Sequence, residues 1–265
     1  MSGGQVREEV ARALADAEAT VRGIPPLRST WPELDTTDAY EIQLVNVGRR
    51  VAAGGVVVGH KVGLTSLAMQ QMLGVESPDY GHLFDDMSVA NEGSISSERF
   101  VAPRAEPEVA FVLKHRLSGP GLSVDDVLGA TDYVVPALEL IDSRIKSWQI
   151  GLVDTIADNA SSAGFVLGQP RTPADTPGLA GLLGDAGVTL LLDGEPVEKG
   201  STQAVLGHPA LAVAWLAETL SRHGLTLEPG HIVLPGSCTR AVDVGAGSVV
   251  RAEFAGLGEV GVSFT

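Results

Sequence analysis

Three glutamates lie within apolar stretches of this chain, and they constrain the fold because a buried carboxylate needs a partner. Glu106 and Glu108 open an apolar run that ends at Leu113, and Glu139 interrupts another that spans residues 133–141. Alternate residues of a strand project to the same face, so Glu106 and Glu108 point together. If the strand of Glu139 lies beside theirs, three carboxylates converge. They then repel one another unless a hard cation or a shared proton neutralises them.

This pattern predicts a divalent metal site. The alternative, a solvated strand face, is disfavoured for Glu139 because its neighbours are uniformly apolar. Ligands that are all oxygen favour Mg²⁺ or Mn²⁺ over zinc, and no Cys/His cluster has zinc-site spacing. A dinucleotide fingerprint, a phosphate-binding loop and a GxSxG elbow are all missing from the sequence, so nucleotide cofactors and an esterase-type serine are not indicated.

Composition excludes several classes of partner. The chain has 265 residues, enough for one large domain with or without a small appendage. Its 18 basic and 33 acidic residues give a net charge of -15, which argues against binding to nucleic acid or to anionic membranes. Cys238 is the single cysteine, and no signal-peptide pattern or membrane-length apolar run occurs. We therefore expect a cytoplasmic protein.

The first 80 residues have a helical texture. Apolar residues recur at helical spacing over residues 5–22, and a second helix is predicted from a cap at residues 36–38 through Ala53. A short strand at residues 56–58 then leads into a glycine-flanked Lys61. A further helix is predicted over residues 67–73, with Ser66 as its cap.

The rest of the chain has the texture of a β protein. Short apolar stretches separated by Gly, Pro and Asp-Gly turns follow residue 81, and one clear helix interrupts them at residues 209–223. The predicted organisation is an N-terminal helical or small α/β section at residues 1–80. A β-rich catalytic domain follows at residues 81–265.

Several polar residues have a structural and a functional interpretation. Lys61 is either a solvated loop lysine or a cation for a substrate carboxylate or enolate, with acid–base chemistry as a further role. Asp79, taken alone, is more typical of a turn. The stretch from Asp158 to Ser162 and the loop at residues 235–239 either form side-chain-bonded turns or present donors to a bound carboxylate. Composition alone does not separate these alternatives.

The polar motifs stand together in a recognisable order. They are Lys61-Val-Gly-Leu-Thr-Ser66, Leu73-Gly-Val75, Pro78-Asp-Tyr-Gly81, Leu83-Phe84, Arg104-Ala-Glu-Pro-Glu108, Pro136-Ala-Leu-Glu139, Asp142-Ser-Arg144 and Ile156-Ala-Asp-Asn-Ala-Ser-Ser162. The ordered set resembles the 2-keto-4-pentenoate hydratase / 4-oxalocrotonate decarboxylase group of the fumarylacetoacetate hydrolase superfamily. The resemblance spans nearly the whole chain.

The resemblance implies a fold and a site. It implies an α+β protein whose main domain is a mixed β-sandwich or β-roll of the fumarylacetoacetate hydrolase C-terminal type, with a small helical N-terminal section. The implied substrate is a small 2-hydroxy-2,4-dienoate, the enol of a 2-keto-4-enoate, formed by meta-cleavage of aromatic compounds. The implied site residues are the metal ligands Glu106, Glu108 and Glu139, the catalytic residues Lys61 and Asp79, and the substrate-binding residues Leu64, Ser161 and Ser237.

The resemblance by itself is compatible with two reactions, hydration and decarboxylation. Within this group Pro-Asp-(Phe/Tyr)-Gly is typical of hydratases, and the chain has Pro78-Asp-Tyr-Gly81. We therefore expect a hydratase, with a 4-oxalocrotonate decarboxylase as the alternative. The group also implies a homo-oligomer and association with the next enzyme of the pathway. The remaining alternatives are a non-catalytic partner subunit, which the intact Lys61 and Asp79 disfavour, and a Ca²⁺-stabilised β-module, which the lysine disfavours.

Overall fold

The computed structural model describes residues 3–66, 70 and 77–265. Its α-helices are α1 (Gly3–Thr20), α2 (Leu27–Thr30), α3 (Thr36–Ala52), α4 (Val124–Ala130), α5 (Leu152–Ala157), α6 (Leu179–Gly184) and α7 (Pro209–Ser221). The helix predicted at residues 67–73 lies outside the described residues apart from residue 70, and the motif at residues 73–75 lies wholly outside them. None of the helices described is long and apolar enough to cross a membrane.

The two predicted N-terminal helices are confirmed as α1 and α3. Helix α1 buries Val10, Leu14 and Ala17 on one face, as its apolar spacing predicts. The cap of helix α3 is Asp35, one residue before the predicted segment at 36–38. The Asp35 carboxylate accepts the Asp38 amide, and the Asp38 side chain accepts the Asp35 amide. The two helices and α5 share a small hydrophobic core of their own.

Two sheets form the body of the molecule. The larger sheet contains β1 (Val57–Gly63), β2 (Asp79–Phe84), β3 (Ser88–Val89), β5 (Arg104–Leu113), β6 (Thr131–Ile141), β7 (Ser162–Leu167), β10 (Ile232–Leu234) and β11 (Val242–Asp243), in the order β2-β1-β10-β5-β6-β7-β3 with β11 beside β5. The smaller sheet contains β4 (Gly93–Ile95), β8 (Gly187–Leu192), β9 (Glu195–Ser201), β12 (Val249–Phe254) and β13 (Gly258–Phe264), in the order β4-β13-β12-β8-β9. Both sheets mix parallel and antiparallel pairs.

The main hydrophobic core draws on both sheets and on α7. Phe111 and Val134 of the larger sheet, Leu190 and Val250 of the smaller one and Leu216 of α7 are all fully buried in it. The opposite face of the larger sheet carries a separate apolar cluster that includes Leu83, Phe165 and Leu234. The α+β class and the mixed-sheet architecture expected from the sequence are therefore confirmed.

Strand β1 is longer than the sequence suggests. It runs to Gly63 rather than ending at residue 58, so Lys61 lies inside a strand of the large sheet and is 4% exposed. The interpretation of Lys61 as a solvated loop lysine is therefore wrong. Gly59 permits the extension, because a Cβ atom there would lie 1.8 Å from the carbonyl oxygen of Ile232 on the neighbouring strand β10. Strand β1 precedes the predicted boundary at residue 80 and β2 spans it; the division into two domains stays a prediction.

Candidate metal centre and active site

The three glutamates converge on one face of the large sheet. Strands β5 and β6 are antiparallel, and their register places Glu106 directly opposite Glu139. Glu108 follows on the same face of β5. Carboxylate oxygens of the three residues lie within 4.8 Å of one another, with Glu108 and Glu139 fully buried. The proximity on which the predicted metal site depended is thus present.

Few protein groups compensate these carboxylates. Lys61 Nζ lies 3.1 Å from Glu139 Oε2, and the Gly236 amide donates to Glu108 Oε2 at 2.8 Å. No group of the described residues forms a hydrogen bond with Glu108 Oε1 or Glu139 Oε1. One ammonium for three crowded carboxylates leaves an excess of negative charge in a site from which water is largely excluded.

The titration behaviour of the site follows from this crowding. Burial, and then repulsion by Glu139, raise the pKa of Glu106 from 4.5 to about 7, against the lowering effect of Lys61. Burial raises the pKa of Glu108 and of Glu139 in the same direction. Burial alone would lower the pKa of Lys61, but Glu139, Glu106 and Asp79 outweigh it and raise the pKa, so the lysine is held as a cation.

The site fits a divalent cation. Two of the glutamates have buried oxygens without a hydrogen-bond partner, and the donor set is oxygen only. Hard oxygen donors suit Mg²⁺, Mn²⁺ or Ca²⁺, and a cation would relieve the repulsion that raises the carboxyl pKa values. No other group of three candidate ligands occurs among the residues that the structure describes.

Asp79 faces the same region from β2. It is 1% exposed and pairs with Gly63 across the β1–β2 ladder. The Thr155 hydroxyl donates to its Oδ2 atom at 3.2 Å. Burial raises the pKa of Asp79, while Lys61 and the Thr155 hydroxyl lower it. Asp79 is therefore a buried strand residue, and the interpretation of it as a turn residue is wrong.

The turn at residues 159–161 presents Ser161. Asn159, Ala160 and Ser161 all have positive φ, at 55°, 52° and 56°, a conformation that is strained for residues with a Cβ atom. The Asn159 side chain holds the turn against β2 by accepting the His82 amide and donating to the His82 carbonyl. Ser161 Oγ is buried and has no hydrogen-bond partner in the described structure, which leaves its hydroxyl available to a ligand.

Asp158 has a structural role in the same segment. The Arg144 guanidinium and backbone amide both donate to its carboxylate, and the two side chains are almost fully buried. Burial nevertheless raises the pKa of Asp158 to about 7, against the lowering effect of Arg144. Both interpretations of the 158–162 stretch thus apply to different residues: Asp158 and Asn159 form the turn, and Ser161 is the residue left with a free hydroxyl.

The two other predicted substrate-binding residues lie at the edges of this region. Leu64 directly follows β1 with a positive φ of 58°, and its carbonyl oxygen accepts the Gln70 side chain. The Ser237 hydroxyl donates to the Thr239 carbonyl within its own loop, whereas the preceding Gly236 amide reaches Glu108. Contact of Leu64 and Ser237 with substrate stays a prediction.

Sequence reasoning missed three supporting residues. Thr155 contacts Asp79, Gly236 donates its amide to Glu108, and the Gln43 side chain donates to the carbonyls of Tyr80 and Ile156. A buried amide within the apolar face of α3 is a weak signal for Gln43. Thr155 and Gly236 act through contacts between distant segments, which no local pattern indicates.

A cavity of about 420 Å³ lies beside this region, between the N-terminal helices and the edge of the large sheet. Its lining includes Gln43, Arg50, Phe84, Arg144 and Asn159, and none of the three glutamates lines it. Its three arginines are all paired: Arg144 with Asp158, Arg50 with Asp86 and Glu18, and Arg49 with Glu8. The cavity therefore offers no uncompensated cation.

Comparison with known proteins identifies relatives over the full length. The model of the fumarylacetoacetate (FAA) hydrolase C-terminal family matches residues 60–264. The chain is 45% identical to a 2-keto-4-pentenoate hydratase of Paraburkholderia xenovorans, over 98% of this chain and 95% of the relative. It is 40% identical to a 2-hydroxyhexa-2,4-dienoate hydratase of Comamonas testosteroni, over the whole of both chains.

A solved structure has the same fold. It is the 4-oxalocrotonate decarboxylase from Pseudomonas putida G7, described as complexed with magnesium and adipate. The two chains superpose with a TM-score of 0.93 at 36% identity, covering 100% of this chain and 99% of the other. Both the hydratase and the decarboxylase branches are thus represented among the relatives.

Proposed function

Because the chain belongs to the 2-keto-4-pentenoate hydratase / 4-oxalocrotonate decarboxylase group of the fumarylacetoacetate hydrolase superfamily, we propose that it is a metal-dependent hydro-lyase. It adds water to 2-hydroxy-2,4-dienoates of the 2-keto-4-pentenoate type and gives 4-hydroxy-2-ketoacids in the meta-cleavage catabolism of aromatic compounds. One observation carries the proposal: a buried lysine and a buried aspartate lie beside three converging glutamates. The similarity to hydratases over the full length supports the choice of reaction.

Glu106, Glu108 and Glu139 would hold the cation, with Mg²⁺ or Mn²⁺ as the proposed ion. A bound divalent cation supplies Lewis-acid stabilisation of negative charge on the oxygens of a 2-oxo acid. The structure of the decarboxylase from P. putida G7 contains magnesium, which is consistent with this assignment. The Gly236 amide fixes the orientation of the Glu108 carboxylate, so the cluster is pre-organised for its ligand.

The remaining roles follow from charge and burial. Lys61, held as a cation, stabilises the enolate-like charge that develops on the substrate and moves a proton at the reacting carbons. The unpartnered hydroxyl of Ser161 binds the substrate carboxylate. Asp79 orients the attacking water molecule and accepts a proton from that water. Burial of all three side chains excludes bulk water, so only a positioned water molecule reacts.

The proposed reaction has two stages. In ketonisation the C2 hydroxyl loses its proton and C5 gains one. The product is a 2-keto-3-enoate, whose C4 is electrophilic. Hydration then adds the oxygen of water to C4 and a proton to C3. Charge appears on the C2 oxygen in both stages, so a fixed cation stabilises the transition states more than the ground state.

Turnover of 2-hydroxypenta-2,4-dienoate and its longer homologues tests the proposal. With Mg²⁺ present we expect loss of the dienoate ultraviolet absorbance, formation of a 4-hydroxy-2-ketoacid and no release of CO₂. Release of CO₂ from 4-oxalocrotonate without hydration would instead identify a decarboxylase, in line with the 36% identity to one. A chain that turned over neither substrate would be a non-catalytic partner subunit. A homo-oligomer, association with the next enzyme of the pathway and a cytoplasmic location stay predictions.

A further inference from the structure

The side-chain hydroxyl of Thr155 donates a hydrogen bond to Asp79. A threonine inside a helix ordinarily hydrogen-bonds back to a carbonyl of the preceding turn. Thr155 is 6% exposed within α5, and its hydroxyl instead donates to Asp79 Oδ2 at 3.2 Å. Threonine is also a poorer helix former than alanine or leucine, so its presence in this short helix is not explained by helix propensity. The contact joins residues 76 positions apart.

The other oxygen of Asp79 lies over Gly63. Asp79 is paired with Gly63, and a Cβ atom built on Gly63 would lie 2.2 Å from Asp79 Oδ1 and 3.7 Å from Lys61 Nζ. The carboxylate therefore occupies the space above a residue without a side chain, and the Lys61 ammonium borders the same space. Oδ1 has no hydrogen-bond partner in the described structure. Thr155 thus donates to one oxygen of Asp79, and the other oxygen has no hydrogen-bond partner among the described residues.

Hydrogen bonds between side chains and the backbone connect the segments that carry Asp79 and Thr155. The Gln43 side chain of α3 donates to the Tyr80 carbonyl at 3.0 Å and to the Ile156 carbonyl at 2.8 Å. Tyr80 is the neighbour of Asp79, and Ile156 is the neighbour of Thr155. Asp154 anchors the same helix, because its carboxylate accepts the Leu27 amide at 2.7 Å. The N-terminal helices therefore set the distance between β2 and α5.

We propose that Thr155 is a positioning residue for the reaction, which holds the Asp79 carboxylate so that its free oxygen faces the water that adds to C4. This inference rests on the proposed hydratase function. Thr155 acts through Asp79 and touches no reacting atom, so its effect falls on hydration and not on the preceding ketonisation. Its hydroxyl donates to the carboxylate, which stabilises the charged form that accepts a proton from water.

Thr155→Val tests this role, because valine has the same shape without the hydroxyl. We expect hydration to slow about ten- to a hundredfold, because this is the effect of losing one hydrogen bond to a charged group. Ketonisation should change by less than about threefold, since Lys61 is untouched. Thr155→Ser, which keeps the hydroxyl, should recover most of the lost hydration rate. The acidic limb of the hydration rate should move to higher pH in Thr155→Val.

Two comparisons separate positioning from packing. In an Asp79→Asn background, Thr155→Val should cause little further loss, because both changes remove the same interaction. Thr131→Val is the matched control: Thr131 is fully buried and donates to the Val127 carbonyl at 2.7 Å, in the main core. That variant should lose stability without changing the ratio of hydration to ketonisation.

The inference is overturned if Thr155→Val hydrates like the parent protein, if its loss adds fully to that of Asp79→Asn, or if Thr155→Ser is no better than valine. A parent protein that fails to hydrate dienoates would overturn the proposed function instead. Carbon-13 resonances of labelled aspartate, with Asp79→Asn identifying the Asp79 signal, test the contact whatever the reaction is. The Asp79 pKa should be higher in Thr155→Val than in the parent, and an unchanged value would exclude the contact.

Discussion

Lys61 and Glu139 form an ion pair that is almost completely removed from water. The ammonium is 3.1 Å from the carboxylate, and their side chains are 5% and 0% exposed. Such pairs contribute little net stability, since desolvation offsets most of the attraction. Here one cation also faces Glu106 and Glu108, so the charge does not balance within the protein. At the scale of single residues, the site is organised for a ligand rather than for stability.

Glu106→Gln tests the metal role at this scale. Glu106 is partly exposed, and glutamine keeps its shape while removing the charge, so the protein should stay folded. We expect Mg²⁺-dependent turnover to fall at least about a hundredfold, because a Lewis-acid site supplies several kcal/mol. Turnover measured against Mg²⁺ concentration tests this expectation, and thermal unfolding checks that the variant is folded. Exposed Glu98→Gln is the control, and unchanged turnover in Glu106→Gln would refute the metal role.

Asp79→Asn tests whether Asp79 and Lys61 act in different stages of the reaction. Asparagine cannot accept the proton of water, so hydration should slow by roughly 10²–10⁴, the usual contribution of a general base. Ketonisation should fall by less than about tenfold, since Lys61 remains. Stopped-flow ultraviolet absorbance separates loss of the dienol from loss of the 2-keto-3-enoate. Equal slowing of the two stages would count against this assignment.

At the scale of elements, strand register creates the metal cluster. Glu106 faces Glu139 only because β5 and β6 pair as they do, and a slip of one residue would turn Glu139 to the other face of the sheet. The apolar residues alternating with the glutamates prevent that slip, because Leu138 and Leu140 belong to the main core on the opposite face. The hydrophobic pattern of these strands therefore holds the carboxylates together.

The turn at residues 159–161 is the second element that shapes the site. It packs so closely on β2 that a Cβ atom at Gly81 would lie 2.3 Å from the Asn159 carbonyl oxygen. Gly81 is the strand partner of Lys61. The strained turn, the glycine and the lysine therefore form one contact, and the position of Ser161 depends on it.

Gly81→Ala should displace this turn. Overpacking of this kind costs about 1–3 kcal/mol, and we expect a comparable loss of unfolding free energy together with a higher KM for the dienoate. Gly187→Ala is the matched control, because a Cβ atom added to this strand residue meets nothing within 4 Å. Chemical denaturation and steady-state kinetics measure the two effects. A Gly81→Ala protein with unchanged KM would show that the turn does not shape the substrate site.

At the scale of the whole molecule, the site couples stability to pH. Without metal, Glu106 has a pKa of about 7 when folded against an ordinary value of 4.5, so the folded state binds more protons between these values. Stability of the metal-free protein must then fall as pH rises through that range, and the raised pKa values of Glu108 and Glu139 act in the same direction. A cation displaces those protons, so its stabilising effect grows over the same range.

Thermal unfolding with excess Mg²⁺ and with a chelator tests this coupling. The difference in Tm should increase from about pH 5 to about pH 8, because protons compete with the cation at the lower pH. Glu106→Gln should reduce the difference at the upper pH. A difference in Tm that did not change with pH would mean that the glutamates do not bind the ion.

Parts of the fold and the site were predictable from local patterns. Helix α1 and helix α3 follow from apolar spacing and a capping signal, and Glu106 and Glu108 share a face because alternate strand residues always do. The extent of β1 was not predictable. Its apolar run is broken by His60 and Lys61, and only pairing with β10 and β2 extends the strand through them.

The chemistry available to this protein follows from its sequence alone: three carboxylates in apolar strands, a lysine flanked by glycines, and an ordered set of motifs that identifies the family. These features are local, because residue type and strand periodicity depend on a few neighbouring positions. Tertiary packing is what places Glu139 opposite Glu106, buries Lys61 and brings the Thr155 hydroxyl to Asp79. Those contacts join distant segments, and strand register and helix docking arise from the packing of the whole chain rather than from any local pattern.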